Sequence, residues 1–204
     1  MKFCSLMVLV LLLQAGSNVS PTSTAQGSPD AVVRELYQMV VAGRPLGIPK
    51  GRVRAAIWPF LSKRLTQRLE AAQACEDDYF RQHATDTGKI QFAWLERGIF
   101  SGEDERAMPA EAVVERTDPQ QDGSFHVFVT LSYGDIGEAY GRLSDPANTL
   151  RWRVAAVVIT EDQRFVVDDV LLFKDDSMKS ASRLSDSFPG CDGSRWVGDK
   201  PKAR

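Results

Sequence analysis

The sequence predicts an α+β domain, because the spacing of its apolar residues changes from helical to strand-like along the chain. Apolar residues recur every three or four positions between residues 29 and 83, and they alternate with polar residues from position 111 onward. Helices that precede consecutive strands are typical of α+β proteins, whose strands form an antiparallel sheet. The chain has 204 residues, which suits one domain of this class.

Helices are expected in the first half of the chain, where start and stop signals flank the periodic segments. Ser28 and Pro29 suit the N-cap and the first turn of the first helix, and Gly43 suits its end. A short second helix is expected over residues 53–57. Ser62 is the expected N-cap of a third helix that runs to about residue 83.

Strands are expected over residues 112–116, 125–132, 150–159 and 164–173, where apolar residues occupy alternate positions. Turn-forming residues over 117–123 separate the first two of these strands. Because no helical pattern intervenes between the strands, an antiparallel arrangement is favoured over alternating strands and helices.

The N-terminus has the pattern of a cleavable secretory signal peptide over residues 1–17. A lysine precedes an unbroken apolar run over 6–13, and the small residues of a cleavage site come next, with a second choice near Ala25. The apolar run is shorter than the ~20 residues of a membrane span, so no stable membrane insertion is expected after cleavage. The alternative is an N-terminal anchor. We expect a periplasmic or secreted protein with a disordered leader over 18–28.

The predicted domain spans residues 29–174, and the polar segment 175–204 is expected to be an irregular tail. Removal of the signal peptide leaves Cys75 and Cys191. An even pair of cysteines in an oxidising compartment predicts a disulfide, which would anchor the tail to the helices. Two unrelated free thiols are the alternative.

The charge and composition give no reason to expect nucleic acid, an anionic membrane surface or a metal as a partner. The net charge of −2 provides no electrostatic attraction for nucleic acid or for an anionic membrane surface. The two histidines leave little scope for a histidine-based metal site or a Ser/His/Asp relay. We therefore expect no metal and no cofactor.

Four motifs in the predicted domain resemble those of a known family, the exported NTF2-like bacterial proteins of unknown function grouped as DUF3828. The resemblance covers residues 30–174. It implies a cone in which a helix packs into a curved antiparallel sheet with a cavity at its open end, and it brings no reaction. The chain departs from the family at 98–102, where relatives often carry an Asp-Pro-Phe type segment. The motifs are Val33-x-x-Leu36-Tyr37, Leu61-Ser62-x-x-Leu65-x-x-x-Leu69, Trp152-x-Val154 and Phe165-Val166-Val167-Asp168-Asp169-Val170.

Two adjacent carboxylates, Asp168 and Asp169, interrupt the apolar pattern of the last predicted strand. Strict alternation would place Asp169 on one face with Val167 and Leu171, and Asp168 on the other face. A buried carboxylate must be paired, hydrogen-bonded or protonated. Asp169 is therefore expected to accept from a backbone donor or from an Arg or Trp donor of the helical layer. The alternatives are a cavity acid that binds or deprotonates a ligand, and a bulge that turns both carboxylates outward. Asp168, on the other face, is expected to contribute little to stability.

Aromatic residues near the junction of helices and strands are candidates for lining a cavity. Tyr79 and Trp94 bracket this junction, and they are predicted to bind a ligand together with Asp169. Aromatic residues at such spacing also form cores, and this alternative remains open. The acidic run 76–78 is interpreted as a solvated helix face, because consecutive residues spread around a helix and do not converge on a cation.

These observations favour an exported domain that binds a small ligand or a protein of the cell envelope, without catalytic activity. The alternative is a small hydrolase or isomerase with Asp169 as its general base. Such an enzyme needs a base of matched pKa close to the substrate proton.

Overall fold

The computed structural model describes residues 27–85, 94–103, 108–133, 149–173 and 178–198. The predicted signal peptide, and all of the predicted leader except its last two residues, lie outside these ranges. Among the described helices, none is both long enough and apolar enough to cross a membrane.

The described part of the first half contains three α-helices, close to the expected positions. They are α1 (Pro29–Gly43), α2 (Gly51–Ile57) and α3 (Lys63–Gln82), and a 3₁₀ turn over Trp58–Phe60 follows α2. The Ser62 hydroxyl caps α3 by accepting a hydrogen bond from the Leu65 amide at 2.9 Å, whereas Ser28 makes no such bond to α1.

Five described strands form one antiparallel sheet in the order β1-β2-β3-β4-β5, which confirms the α+β class. The strands are β1 (Glu111–Pro119), β2 (Phe125–Tyr133), β3 (Leu150–Glu161), β4 (Arg164–Phe173) and β5 (Ala181–Arg183).

The first strand is longer than the sequence indicates, because it continues into the predicted turn. Thr117, Asp118 and Pro119 all pair with residues of β2. β1 lies at the edge of the sheet, where a proline is tolerated because one side of the strand needs no ladder hydrogen bonds.

The described part of the tail, residues 178–198, contains short elements of secondary structure where an irregular tail anchored through Cys191 was expected. β5 extends the sheet beyond β4, and a 3₁₀ helix over Leu184–Asp186 follows it. A hairpin of β6 (Cys191–Asp192) and β7 (Arg195–Trp196) comes next. The sequence did not indicate β5 because all its residues are exposed, so no apolar alternation marks a strand that is held by backbone pairing.

The hydrophobic core lies between the helices and one face of the sheet. α1 packs against β1, β2 and β4, and α3 packs against β4 and the tail. β3 directs Val154, Ala156 and Val158 into this core. The α1 side chains that are buried there recur at helical spacing, as expected, and are Val33, Leu36, Tyr37 and Val40.

The predicted disulfide between Cys75 and Cys191 is confirmed. It joins α3 to the β6–β7 hairpin across 116 residues of sequence, with the two Cα atoms 5.9 Å apart. Asp78 adds a second link, because its carboxylate accepts a hydrogen bond from the Trp196 amide at 2.9 Å. The tail is therefore attached to α3 covalently and by a charge-assisted hydrogen bond.

Breaking the disulfide should destabilise the protein substantially. A cross-link over a loop this long restricts the unfolded chain, so we expect Cys191→Ala to lower the free energy of unfolding by about 2–5 kcal/mol. Denaturant unfolding with and without dithiothreitol measures the effect. Reductant should destabilise the wild-type protein by a similar amount and leave Cys191→Ala unchanged, whereas equal curves for all four samples would contradict the prediction.

Candidate functional site

The two carboxylates of β4 lie at a β-bulge. Between the pairs Val158–Val167 and Val157–Asp169, β4 contains one residue more than β3, and that residue is Asp168. The extra residue shifts the alternation of the strand. Val167 belongs to the core beneath the helices, whereas Asp169 lies across from Val157 on the opposite face. The prediction that Val167 and Asp169 share one face of the sheet is therefore wrong.

Asp169 is fully buried, and donors hold both of its oxygens. Its carboxylate accepts hydrogen bonds from the Ser185 hydroxyl at 2.8 Å, the Ser185 amide at 3.1 Å and the Arg183 guanidinium at 3.2 Å. The Val170 amide donates a further bond at 2.9 Å. Asp169 thus links the start of the 3₁₀ helix over Leu184–Asp186 to β4. It is held by donors, as expected, but these belong to β4 and to residues 183–185 and not to the helical layer.

Asp168 is also buried, with 9% of its surface exposed, which argues against the expectation that it contributes little to stability. The bulge turns it toward the start of α3, where the Ser62 hydroxyl donates at 2.6 Å and the Arg64 Nε donates at 3.0 Å. Burial acts to raise the pKa of Asp168, but the hydrogen bonds from Arg64 and Ser62 outweigh it and the pKa is lowered.

This geometry does not suit Asp169 for proton transfer. A general base must come within hydrogen-bond reach of a substrate proton, and this carboxylate is closed to solvent with both oxygens already accepting bonds. Asp169 lines none of the three cavities that border the segment 94–98 among the described residues. The structure supports a positioning role for it.

A cavity of about 240 Å³ lies where the end of β4, β5 and the tail meet the segment 94–102. Its apolar surface comes mainly from Trp94, Ile99 and Leu172. Trp94 is buried and meets the Phe188 ring edge-on, with the ring centroids 5.6 Å apart. Trp94 thus belongs to the core and also lines a cavity, and its role in ligand binding stays a prediction.

Buried hydrogen bonds hold the floor of this cavity in place. The Tyr37 hydroxyl donates to the Phe100 carbonyl at 3.0 Å, and the Trp152 indole donates to the Ser101 carbonyl at 2.8 Å. Burial raises the pKa of Tyr37 well above its ordinary value, so the hydroxyl stays protonated and remains a donor. Gly98 is required there because a Cβ would lie 2.3 Å from the Ser101 hydroxyl oxygen.

The rim of the cavity is polar and includes two arginines, Arg97 and Arg183. Arg97 is exposed and makes no side-chain hydrogen bond or ion pair with the residues that the structure describes. Arg183 also lines the cavity, but its guanidinium is bound to Asp169. The other polar residues of the rim are Ser182, Asp186 and Ser187. The geometry thus combines an apolar floor with an exposed guanidinium that has no side-chain partner in the described part of the chain.

Tyr79 lies elsewhere, so the three predicted ligand residues do not form one site. Its ring stacks on His83 with centroids 4.1 Å apart and meets the Trp196 ring edge-on at 5.0 Å. These contacts place Tyr79 in the anchor of the tail. Of the predicted residues, Trp94 lines the cavity, Asp169 fixes its wall through Arg183, and Tyr79 does neither.

Comparisons of the chain with protein-family models, curated proteins and solved structures found no match. No group of three or more histidine, cysteine, aspartate or glutamate side chains suited to a metal occurs in the described residues. Sequence reasoning missed Arg97 and the cavity wall formed by the tail. An exposed arginine in a segment without periodicity gives no signal that sets it apart from other surface arginines.

Both carboxylates of the bulge should contribute to stability. Asp168→Ala removes the partner of the buried Ser62 hydroxyl, and Asp169→Ala removes the partner of the Ser185 hydroxyl and amide. We expect each variant to lower the free energy of unfolding by about 1–3 kcal/mol. Asp77→Ala is the matched control, since Asp77 is exposed and has no partner among the described residues, and it should stay within about 0.5 kcal/mol. A negligible loss for Asp168→Ala in denaturant melts would contradict the bulge geometry.

The contribution of Asp168 should depend on pH. Its pKa is lowered on folding, so the unfolded chain binds the proton at a higher pH than the folded chain. The stabilisation is complete above the unfolded pKa of about 4 and is lost as the pH falls through the folded pKa. Denaturant melts from pH 7 to pH 3 should show the stability gap between the wild-type protein and Asp168→Asn narrowing below about pH 4. A gap of constant size would refute this assignment.

Proposed function

We propose that this protein binds a small ligand with an apolar body and one anionic group in the cavity beside Trp94. The observation that carries the proposal is the exposed Arg97 guanidinium, without a side-chain partner among the described residues, at the rim of an apolar cavity. Ligand sites are typically concave and mostly apolar, with a few polar groups that fix the orientation of the ligand.

The apolar part of the ligand would contact Trp94, Ile99 and Leu172. The cavity volume of about 240 Å³ suits a ligand the size of a short fatty acid or an apolar amino-acid side chain with its carboxylate. The hydrogen bonds to the Phe100 and Ser101 carbonyls fix the floor before a ligand arrives. A preformed floor reduces the ordering cost of binding.

The anionic part of the ligand would contact Arg97. A guanidinium presents a planar fork of donors that matches a carboxylate and forms bidentate, charge-assisted hydrogen bonds. Arg183 is less available, because Asp169 already neutralises it. Because Arg97 is the guanidinium of this cavity without a side-chain partner among the described residues, a ligand with a single carboxylate is favoured over a dianion.

We further propose that the domain acts outside the cytoplasm and has the cone of the NTF2-like proteins grouped as DUF3828. The signal-like N-terminus and the disulfide support the compartment, since disulfides persist in oxidising environments. Helices on one face of an antiparallel sheet, with a cavity at the end of β4, support the cone.

Octanoate and octanol test the proposal, because they share an apolar chain and differ in charge. We expect octanoate to bind and to change the fluorescence of the protein, with Arg97→Gln weakening its affinity about 10-fold or more through loss of a charge-assisted bond. The same variant should change octanol affinity by less than about 2-fold. Arg195→Gln is the control, since Arg195 is exposed and does not line the cavity.

A second variant tests the location of the site. Ser182 is exposed on β5 and lines the cavity, so Ser182→Phe should fill it and abolish binding of both probes while the protein stays folded. Titration calorimetry reports the affinities. Unchanged octanoate binding by both Arg97→Gln and Ser182→Phe would overturn the proposal.

A further inference from the structure

A second cavity, of about 230 Å³, lies between α3, the loop before α2 and Leu95. It shares no lining residue with the cavity beside Trp94. Gly47 donates a backbone hydrogen bond to the Arg97 carbonyl at 2.7 Å, which holds this loop against the segment that separates the two cavities. The walls are apolar and come mainly from Pro45, Ile48, Pro49, Val53 and Leu95.

Two charged side chains line this otherwise apolar cavity, Glu76 of α3 and Lys50, which are paired with each other. Only 2% of Glu76 is exposed, so the expectation that residues 76–78 form a solvated helix face is wrong for this residue. Its Oε1 accepts a hydrogen bond from the Lys50 ammonium at 2.7 Å. Its Oε2 is buried and has no hydrogen-bond partner among the residues that the structure describes.

An unpartnered carboxylate oxygen in the protein interior is unfavourable, because it loses hydration without gaining a donor. A molecule that brings a donor into the cavity recovers that interaction. The charge of the donor matters as well. Lys50 already neutralises Glu76, so a second cation would leave the pair with excess positive charge, whereas an uncharged O–H or N–H group would not.

We infer that this cavity binds a small uncharged molecule, an alcohol or an amide, whose O–H or N–H donates to Oε2 of Glu76. The apolar walls hold the body of the molecule, and the carboxylate oxygen selects its polar end. The inference is independent of the proposed function, because the first cavity offers a guanidinium to an anion and this one offers an acceptor to a neutral donor.

Three probes with the same ring separate the relevant chemistries, namely cyclohexanol, cyclohexanone and cyclohexylamine. Methyl resonances of Val53 and Leu95 in the isotopically labelled protein report binding at this cavity. We expect cyclohexanol to bind about 10-fold more tightly than cyclohexanone, which has no donor. Cyclohexylamine, protonated at neutral pH, should bind more weakly than cyclohexanol.

Glu76→Gln should reverse this preference. The glutamine oxygen can still accept from Lys50, and its amide group then takes the place of Oε2 as a donor. The variant should therefore bind cyclohexanone more tightly than cyclohexanol. Glu70→Gln on the same helix is the matched control, because Glu70 is exposed and paired with Arg54, and it should keep the wild-type order of affinities.

Leu46→Trp provides a test that does not depend on Glu76. Leu46 is 41% exposed and lines the cavity, so a larger side chain there should exclude all three probes without disturbing the core. Equal affinities for cyclohexanol and cyclohexanone in the wild-type protein would overturn the inference and indicate that water alone meets the Oε2 atom. An absence of methyl shifts at Val53 and Leu95 with every probe would overturn it too.

Discussion

The β-bulge at Asp168 is the constraint on which the arrangement around β4 depends. It places two consecutive carboxylates where they bind segments that are distant in sequence. Asp168 binds the start of α3 through Ser62 and Arg64, and Asp169 binds the tail through Arg183 and Ser185. In a regular strand Asp169 would share the face of Val167 and point into the core, away from Arg183 and Ser185, because every second residue points to the same face.

The cavity beside Trp94 follows from this anchoring. Its outer wall belongs to the tail, which Asp169 holds near residue 183 and the disulfide holds at Cys191. Its floor belongs to the segment fixed by Tyr37 and Trp152. The buried polar groups therefore shape the cavity, and Arg97 is exposed on its rim.

Periodicity predicts most of this fold and little of the site. The burial of Val33 and Leu36 in α1, the cap at Ser62 and the disulfide all follow from local spacing or from counting cysteines. The bulge does not follow from local spacing. One inserted residue reverses the face of the sheet to which the later residues of the strand point, and it does so without changing the composition. The exposed strand β5 and the burial of Glu76 depend on tertiary pairing, which leaves no periodic trace.

Native-state amide hydrogen exchange tests the central claim most directly, because it reports on the anchored segments in the unmodified protein. The Ser185 amide donates to Asp169 and the Ser62 amide donates to the Val167 carbonyl at 2.8 Å. Both amides should be protected and should exchange in the same opening reaction as the amides of β4. Exchange of the Ser185 and Ser62 amides at free-chain rates, while β4 stays protected, would contradict the account.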